Sequence, residues 1–139
     1  MLANPPKLKG MKGKGIAYEK HVGRRLKRWQ ESNELYGELH LGQWFSFWDD
    51  NGHGYCQPDI LIVRSDLVFI LECKLSYTNF AWEQLAKLYQ PVVELTFERP
   101  AVLVQVCKNL RLEPENLIEL PELMDAPRNK FNTWHFLGR

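Results

Sequence analysis

Long apolar runs, paired cysteines and internal repeats are all missing from this chain, and each absence removes a class of protein. No stretch of the 139 residues stays apolar for anything near the roughly 20 positions a membrane-crossing helix needs, so no such helix is predicted. Cys56, Cys73 and Cys107 are few, odd in number and far apart, and no signal-peptide pattern precedes them. Reduced thiols in a cytoplasmic protein are therefore expected rather than a disulfide framework. His53-x-x-Cys56 has a zinc-ligand spacing, but His40, Cys73 and Cys107 add no second close pair to make the four ligands of a structural site. Net charge is also nearly absent, at +1.

That small net charge hides an asymmetry. Met1 to Gln30 holds nine Lys or Arg against the single acid Glu19, while the rest holds nine basic residues against sixteen acids. Residues 1–15, with Lys12 and Lys14 among their lysines, have too few apolar side chains to pack. They read as a mobile basic arm able to neutralise a nucleic-acid backbone, or as a solubilising tail. Residues 16–139, in a chain 45% apolar and 12% aromatic, suffice for one core and one domain.

Tyr18, Val22, Leu26 and Trp29 recur at helical spacing, which predicts a helix over 16–29 with Glu19 at the border of its apolar stripe. Lys20, Arg24, Lys27 and Arg28 fall on other faces, as a phosphate-contacting ridge or a solvated one. Gly23 lowers helix propensity and suggests close packing on a sheet. Leu39 to Trp48 reads as one aromatic strand, Asp49-Asp50-Asn51-Gly52 as a turn, and the residues from there to Pro58 as a loop whose His53, Gly54, Tyr55 and Gln57 flank the site proposed below.

The most telling pattern follows. Asp59-Ile60-Leu61-Ile62-Val63 and Leu67 to Leu75 are rich in β-branched and aromatic residues, with a short polar turn between them, which predicts a hairpin. Residues two apart share a face, so Glu72 and Lys74 lie together, and antiparallel pairing brings Asp59 opposite them. Two carboxylates at such range repel unless a cation lies between them. Magnesium suits oxygen donors and keeps several waters, so Asp59, Glu72 and the Cys73 carbonyl would leave positions for a phosphate oxygen and a water that Lys74 orients or deprotonates. The plain alternative makes Asp59 and Glu72 surface strand residues paired with Lys74 and Arg64. Cys73, alternating between Glu72 and Lys74, should point to the core as a free thiol.

Further on, a helix beginning near Asn79 carries a stripe of Trp82, Leu85, Leu88, Val92 and Leu95, with Pro91 kinking or breaking it. Ala101 to Cys107 is a buried strand, best placed beside the Glu72 strand through a crossover, which predicts an α/β sandwich around a mixed sheet. A short helix is expected from Leu117 to Met124 and a terminal strand from Phe131 to Leu137.

Pro58-Asp59 on one strand and Glu72-Cys73-Lys74 on the next resemble the signature of the PD-(D/E)XK nuclease superfamily. The resemblance implies a restriction-endonuclease-like core of mixed β-sheet flanked by α-helices, and a Mg2+-dependent deoxyribonuclease in which Mn2+ can substitute. It assigns a further metal-site carboxylate on the first helix to Glu19, and a helix-borne Gln or Lys after the Glu-x-Lys strand to Gln84 and Lys87, three apart and expected on one helix face. Lys14-Gly15 leading to Glu19 and Lys20 is loosely similar to archaeal-type Holliday-junction resolvases, which implies branched DNA as substrate and a homodimer. Small phage or mobile-element nucleases of homing or VRR type share the same signature. A catalytically silent nucleic-acid-binding module, or a metal-dependent protein with a structural role, would use the same residues differently.

Overall fold

The computed structural model describes residues 13–121 and 130–138. Its first element is helix α1 (Gly13–Glu31), so the helix begins inside the segment read as an arm, and residues 1–12 of that arm lie outside the described residues. The expected stripe is present: Tyr18, Val22 and Leu26 are buried and Trp29 packs beside them.

Six strands form a mixed sheet: β1 (Glu38–Leu41), β4 (Ile60–Val63), β5 (Val68–Ser76), β6 (Ala101–Asn109), β8 (Asn132–His135) and β7 (Asn116–Ile118), in that spatial order. β1–β4 and β4–β5 are antiparallel, while β5–β6, β6–β8 and β7–β8 are parallel. β4, with all four residues buried, reads as a continuous apolar run because both faces are covered. On one face α1 packs over Ile60, Ile62, Phe69 and Leu71; on the other, Trp82, Leu85, Tyr89 and Val93 cover Leu61, Val68, Ile70 and Leu103. The Tyr18 hydroxyl donates to the Phe136 carbonyl at 2.8 Å, tying α1 to the chain beyond β8. The α/β sandwich around a mixed sheet is as the alternation implied. No helix among the described residues is long and apolar enough to cross a membrane.

Four expectations need correction. Leu39 to Trp48 is two strands, because Gly42 adopts φ +65° and turns the chain out of the sheet. The second of them, β2 (Phe45–Asp49), pairs with β3 (Gly52–Cys56) in a separate hairpin around the expected Asp49–Gly52 turn. His53 to Cys56 is thus a strand and not a loop. Gly54 stands opposite Phe47, where a Cβ would lie 2.7 Å from the phenyl ring, so the glycine makes room for an aromatic neighbour. Asn116–Ile118 is a strand where a helix was expected, and the rest of that expected helix, from 122 onward, lies outside the described residues.

The fourth concerns the segment after β5. Helix α2 (Phe80–Glu83), a π-helical stretch (Gln84–Tyr89) and helix α3 (Gln90–Phe97) run on without a break. An α-helical Pro91 would clash with the Lys87 carbonyl, four residues back, and donate nothing to it. Widening the turn just before it, so that the Gln90 N–H reaches the Leu85 carbonyl, removes the conflict. The wider turn takes up one residue, so the buried stripe continues through Tyr89 and Val93 rather than Leu88 and Val92, and Leu95 is 82% exposed.

Candidate active site

β5 outruns β4. Pairing between them ends at Ile60 opposite Leu71, while β6 stays paired with β5 as far as Ser76. From Glu72 onward, β5 therefore has a neighbour on one side and an open edge on the other, and Asp59, just before β4, sits at that edge. Its Oδ2 accepts the Cys73 N–H at 2.8 Å, in place of the missing strand. A strand residue points its N–H and C=O to the same side, which aims the Cys73 carbonyl at the same edge.

The Asp59, Glu72 and Lys74 side chains come together as the hairpin implied. Glu72 is buried, and Lys74 Nζ lies 3.4 Å from Glu72 Oε2. Of the plain alternative, the pairing of Glu72 with Lys74 is present but the surface position is not; Arg64 reaches the Tyr36 carbonyl at 3.0 Å and lies over the Phe69 ring. Burial pushes both carboxyls above their usual range. The charge of Glu72 raises Asp59 further, whereas a hydrogen bond from Asp59 and the Lys74 ammonium pull Glu72 part of the way back. Glu72 Oε1 is buried and receives no hydrogen bond. Such an oxygen is costly unless another partner satisfies it.

Glu19 is half-buried on α1, and its carboxyl is pushed up to about 7 by burial first and the charge of Asp59 second, against the lowering influence of Lys20. Glu19 and Asp59 share a cleft of about 390 Å³ that Lys20, Arg24 and Lys27 also line, with Gly23 and Leu41 beside them. A Cβ on Gly23 would sit 3.4 Å from Leu41 Cδ2, an ordinary contact, so packing on the sheet does not demand glycine there as expected; its bareness leaves the cleft open.

Gln84 opens the π-helical stretch, and its Oε1 is a second buried oxygen without a hydrogen bond. Lys87 does not join it on one face. In the wider turn Lys87 points outward to Glu83, 3.5 Å away, and lines a different cavity beside Trp48 and Leu88. Lys12 lies outside the described residues, and of Lys14 only the backbone is described, in the first turn of α1. Cys73 packs on the α1 side of the sheet, as its alternation predicted, and all three cysteines are free thiols.

Tyr89 was missed by the sequence reading. It is buried, and its phenol is pushed up by burial and then by the charges of Glu72 and Asp59, which puts it within their field. In the sequence it is one aromatic residue beside an assumed stripe, and only the π-helical turn brings it inward.

No group of three or more His, Cys, Asp or Glu side chains among the described residues is gathered tightly enough to hold a metal ion. The carboxylates come as a pair with Glu19 behind them. Two carboxylates, a carbonyl and retained waters are a donor set that magnesium accepts, and the undonated Glu72 oxygen fits a cation better than it fits a closed ion pair. Comparison with family models, curated proteins and solved structures finds no match to this chain.

Proposed function

We propose that this chain is a Mg2+-dependent deoxyribonuclease on a restriction-endonuclease-like core, hydrolysing phosphodiester bonds at the open edge of β5. The observation that carries this reading is the buried carboxylate pair, with Asp59 bonded to the Cys73 N–H and Glu72 Oε1 left without a donor. Asp59, Glu72 and the Cys73 carbonyl would hold the metal, with Glu19 as an outer carboxylate. Magnesium bound there supplies Lewis-acid stabilisation of a phosphoryl oxygen and a more acidic water.

The other side chains position the reactants. Lys74, its ammonium tied to Glu72 but partly exposed, orients the attacking water or offsets charge growing on the phosphorane. Gln84, to which the resemblance gives a place beside that water, has an undonated Oε1 that would accept a hydrogen bond from it. Lys20, Arg24 and Lys27 along the cleft neutralise the DNA backbone leading to the carboxylates. Symmetric cutting of two strands needs two such sites, hence a homodimer in that mode.

Plasmid and branched DNA are expected to be cut with magnesium or manganese and left intact with chelator. Asp59→Ala, Glu72→Ala and Lys74→Ala should abolish cutting while salt-dependent DNA binding survives. Cleavage by Asp59→Ala would overturn the mechanism, and binding without cleavage in the unaltered protein would leave a silent binding module.

A further inference from the structure

We infer that the outer face of the β2–β3 hairpin is a base-stacking platform, so that the substrate of the proposed nuclease carries unpaired nucleotides. This inference rests on the hydrolase reading and narrows its substrate. Cross-strand pairing sorts the hairpin into two faces. Phe45, Phe47 and Cys56 turn inward onto the helices, whereas Trp48, His53 and Tyr55 share the outer face.

Those three rings form a ladder. Trp48 and His53 are 4.8 Å apart between centroids, and His53 and Tyr55 are 4.7 Å apart. All three are exposed, Trp48 to 73% and Tyr55 to 46%. An outward hairpin face needs no aromatic residue to fold, because its inward face already supplies the packing. Rings that lie side by side in the open, tilted by 30° at Trp48–His53 and edge-to-face at His53–Tyr55, and tipped with an imidazole and a phenol suit nucleobases, which present π-faces and polar edges.

The surroundings favour nucleic acid over a protein partner. Asp59 follows Tyr55 by four residues, so the Cα atoms at the near end of the platform and at this carboxylate are at most about 14 Å apart. Beyond Asp59 the cleft continues along Lys20, Arg24 and Lys27. At the other end Lys87 lines a cavity with Trp48, where Asp49 and the Glu83 partner of Lys87 are the opposing charges. A strand with bases on the ladder and phosphates toward these cations reaches the scissile position without a break.

The test is binding in chelator, where no cleavage intervenes, using labelled oligothymidine, a duplex with a single-stranded tail and a blunt duplex of equal length. Oligothymidine and the tailed duplex should bind more tightly than the blunt one. Trp48→Ala and Tyr55→Ala should each weaken tail binding by about 5- to 100-fold and leave the blunt duplex unchanged, and Trp48→Phe should restore most of the loss. Equal binding of tail and blunt end, or tail binding unmoved by both alanine variants, overturns the platform. So does a dimer in sedimentation that Trp48→Ala turns into monomer, since that assigns the face to a second copy. Failure here with magnesium-dependent cleavage intact removes the platform alone. Tail binding that behaves as expected in a protein that never cuts removes the hydrolase reading and leaves a single-strand-binding face.

Discussion

Val68–Leu71 and Glu72–Ser76 lie on one strand and meet different surroundings. The first stretch has β4 on one side, β6 on the other and apolar layers above and below, and every side chain in it is buried. The second loses β4, keeps β6 and turns charged. Ile70 and Glu72, two apart, face the same helical layer, but Ile70 ends in a closed core and Glu72 at an opening where Asp59 replaces a strand. Stability is concentrated where the sheet is complete, and the proposed chemistry sits where one strand runs past its neighbour.

The largest effects should separate these halves. Glu72→Ala is expected to lower magnesium-dependent cleavage on the order of 10³-fold, with little loss of folded protein, because it removes a proposed metal ligand and no apolar packing. Ile70→Ala should do the reverse, costing about 2–5 kcal/mol of stability through the cavity it leaves, with cleavage per folded molecule retained. Urea melts and single-turnover cleavage on both variants check the pair. If both variants lost activity and stability in the same proportion, the strand would not divide as described.

A smaller effect comes from pH. Asp59, Glu72 and Glu19 all have carboxyls raised above their ordinary values of 3.8, 4.5 and 4.5 in the fold. The native state therefore binds more protons than the unfolded chain, and the stabilisation is full below about pH 4 and lost as pH rises through the raised values, about 7 for Glu19. In chelator, the unaltered protein should lose stability relative to Glu72→Gln as pH rises above the ordinary glutamate value of 4.5, because the variant carries no charge at that position. The two should converge at pH 4, and magnesium should restore the unaltered protein alone. Parallel curves across this range would mean that Glu72 pays no burial penalty.

Much of this was legible because the β4–β5 hairpin is local: its apolar runs and short turn fix the register, and the register fixes Asp59 beside Glu72. Features set by distant partners were not. An isolated glycine such as Gly42 marks a bulge as readily as a break, and Gly54 finds its reason in Phe47 on the partner strand. Tyr89 and the outward turn of Lys87 depend on a π-helical turn that relieves Pro91, and period counting assumes a constant pitch. Glu19 joined the site reading only through the resemblance, since nothing near it in sequence says which strand end α1 will lie against.

The smallest effect tests whether the cleft, like the charged end of β5, gives up stability. Gly23 is a buried residue of α1, and an alanine there would gain helix propensity of about 1 kcal/mol. Its methyl would meet only Leu41, at 3.4 Å, so no strain offsets that gain. Gly23→Ala should therefore raise stability by about 0.5–1 kcal/mol in a urea melt. The same methyl projects into the cleft between the Lys20, Arg24 and Lys27 side and the Asp59 end, so DNA affinity at fixed salt should fall severalfold while the salt dependence keeps its slope, no cation having been removed. A gain in stability with unchanged affinity would show that the glycine is incidental and that the DNA path lies elsewhere on α1. A gain paired with weaker binding would place Gly23 with Glu72, among positions where the fold gives up stability to keep a surface open.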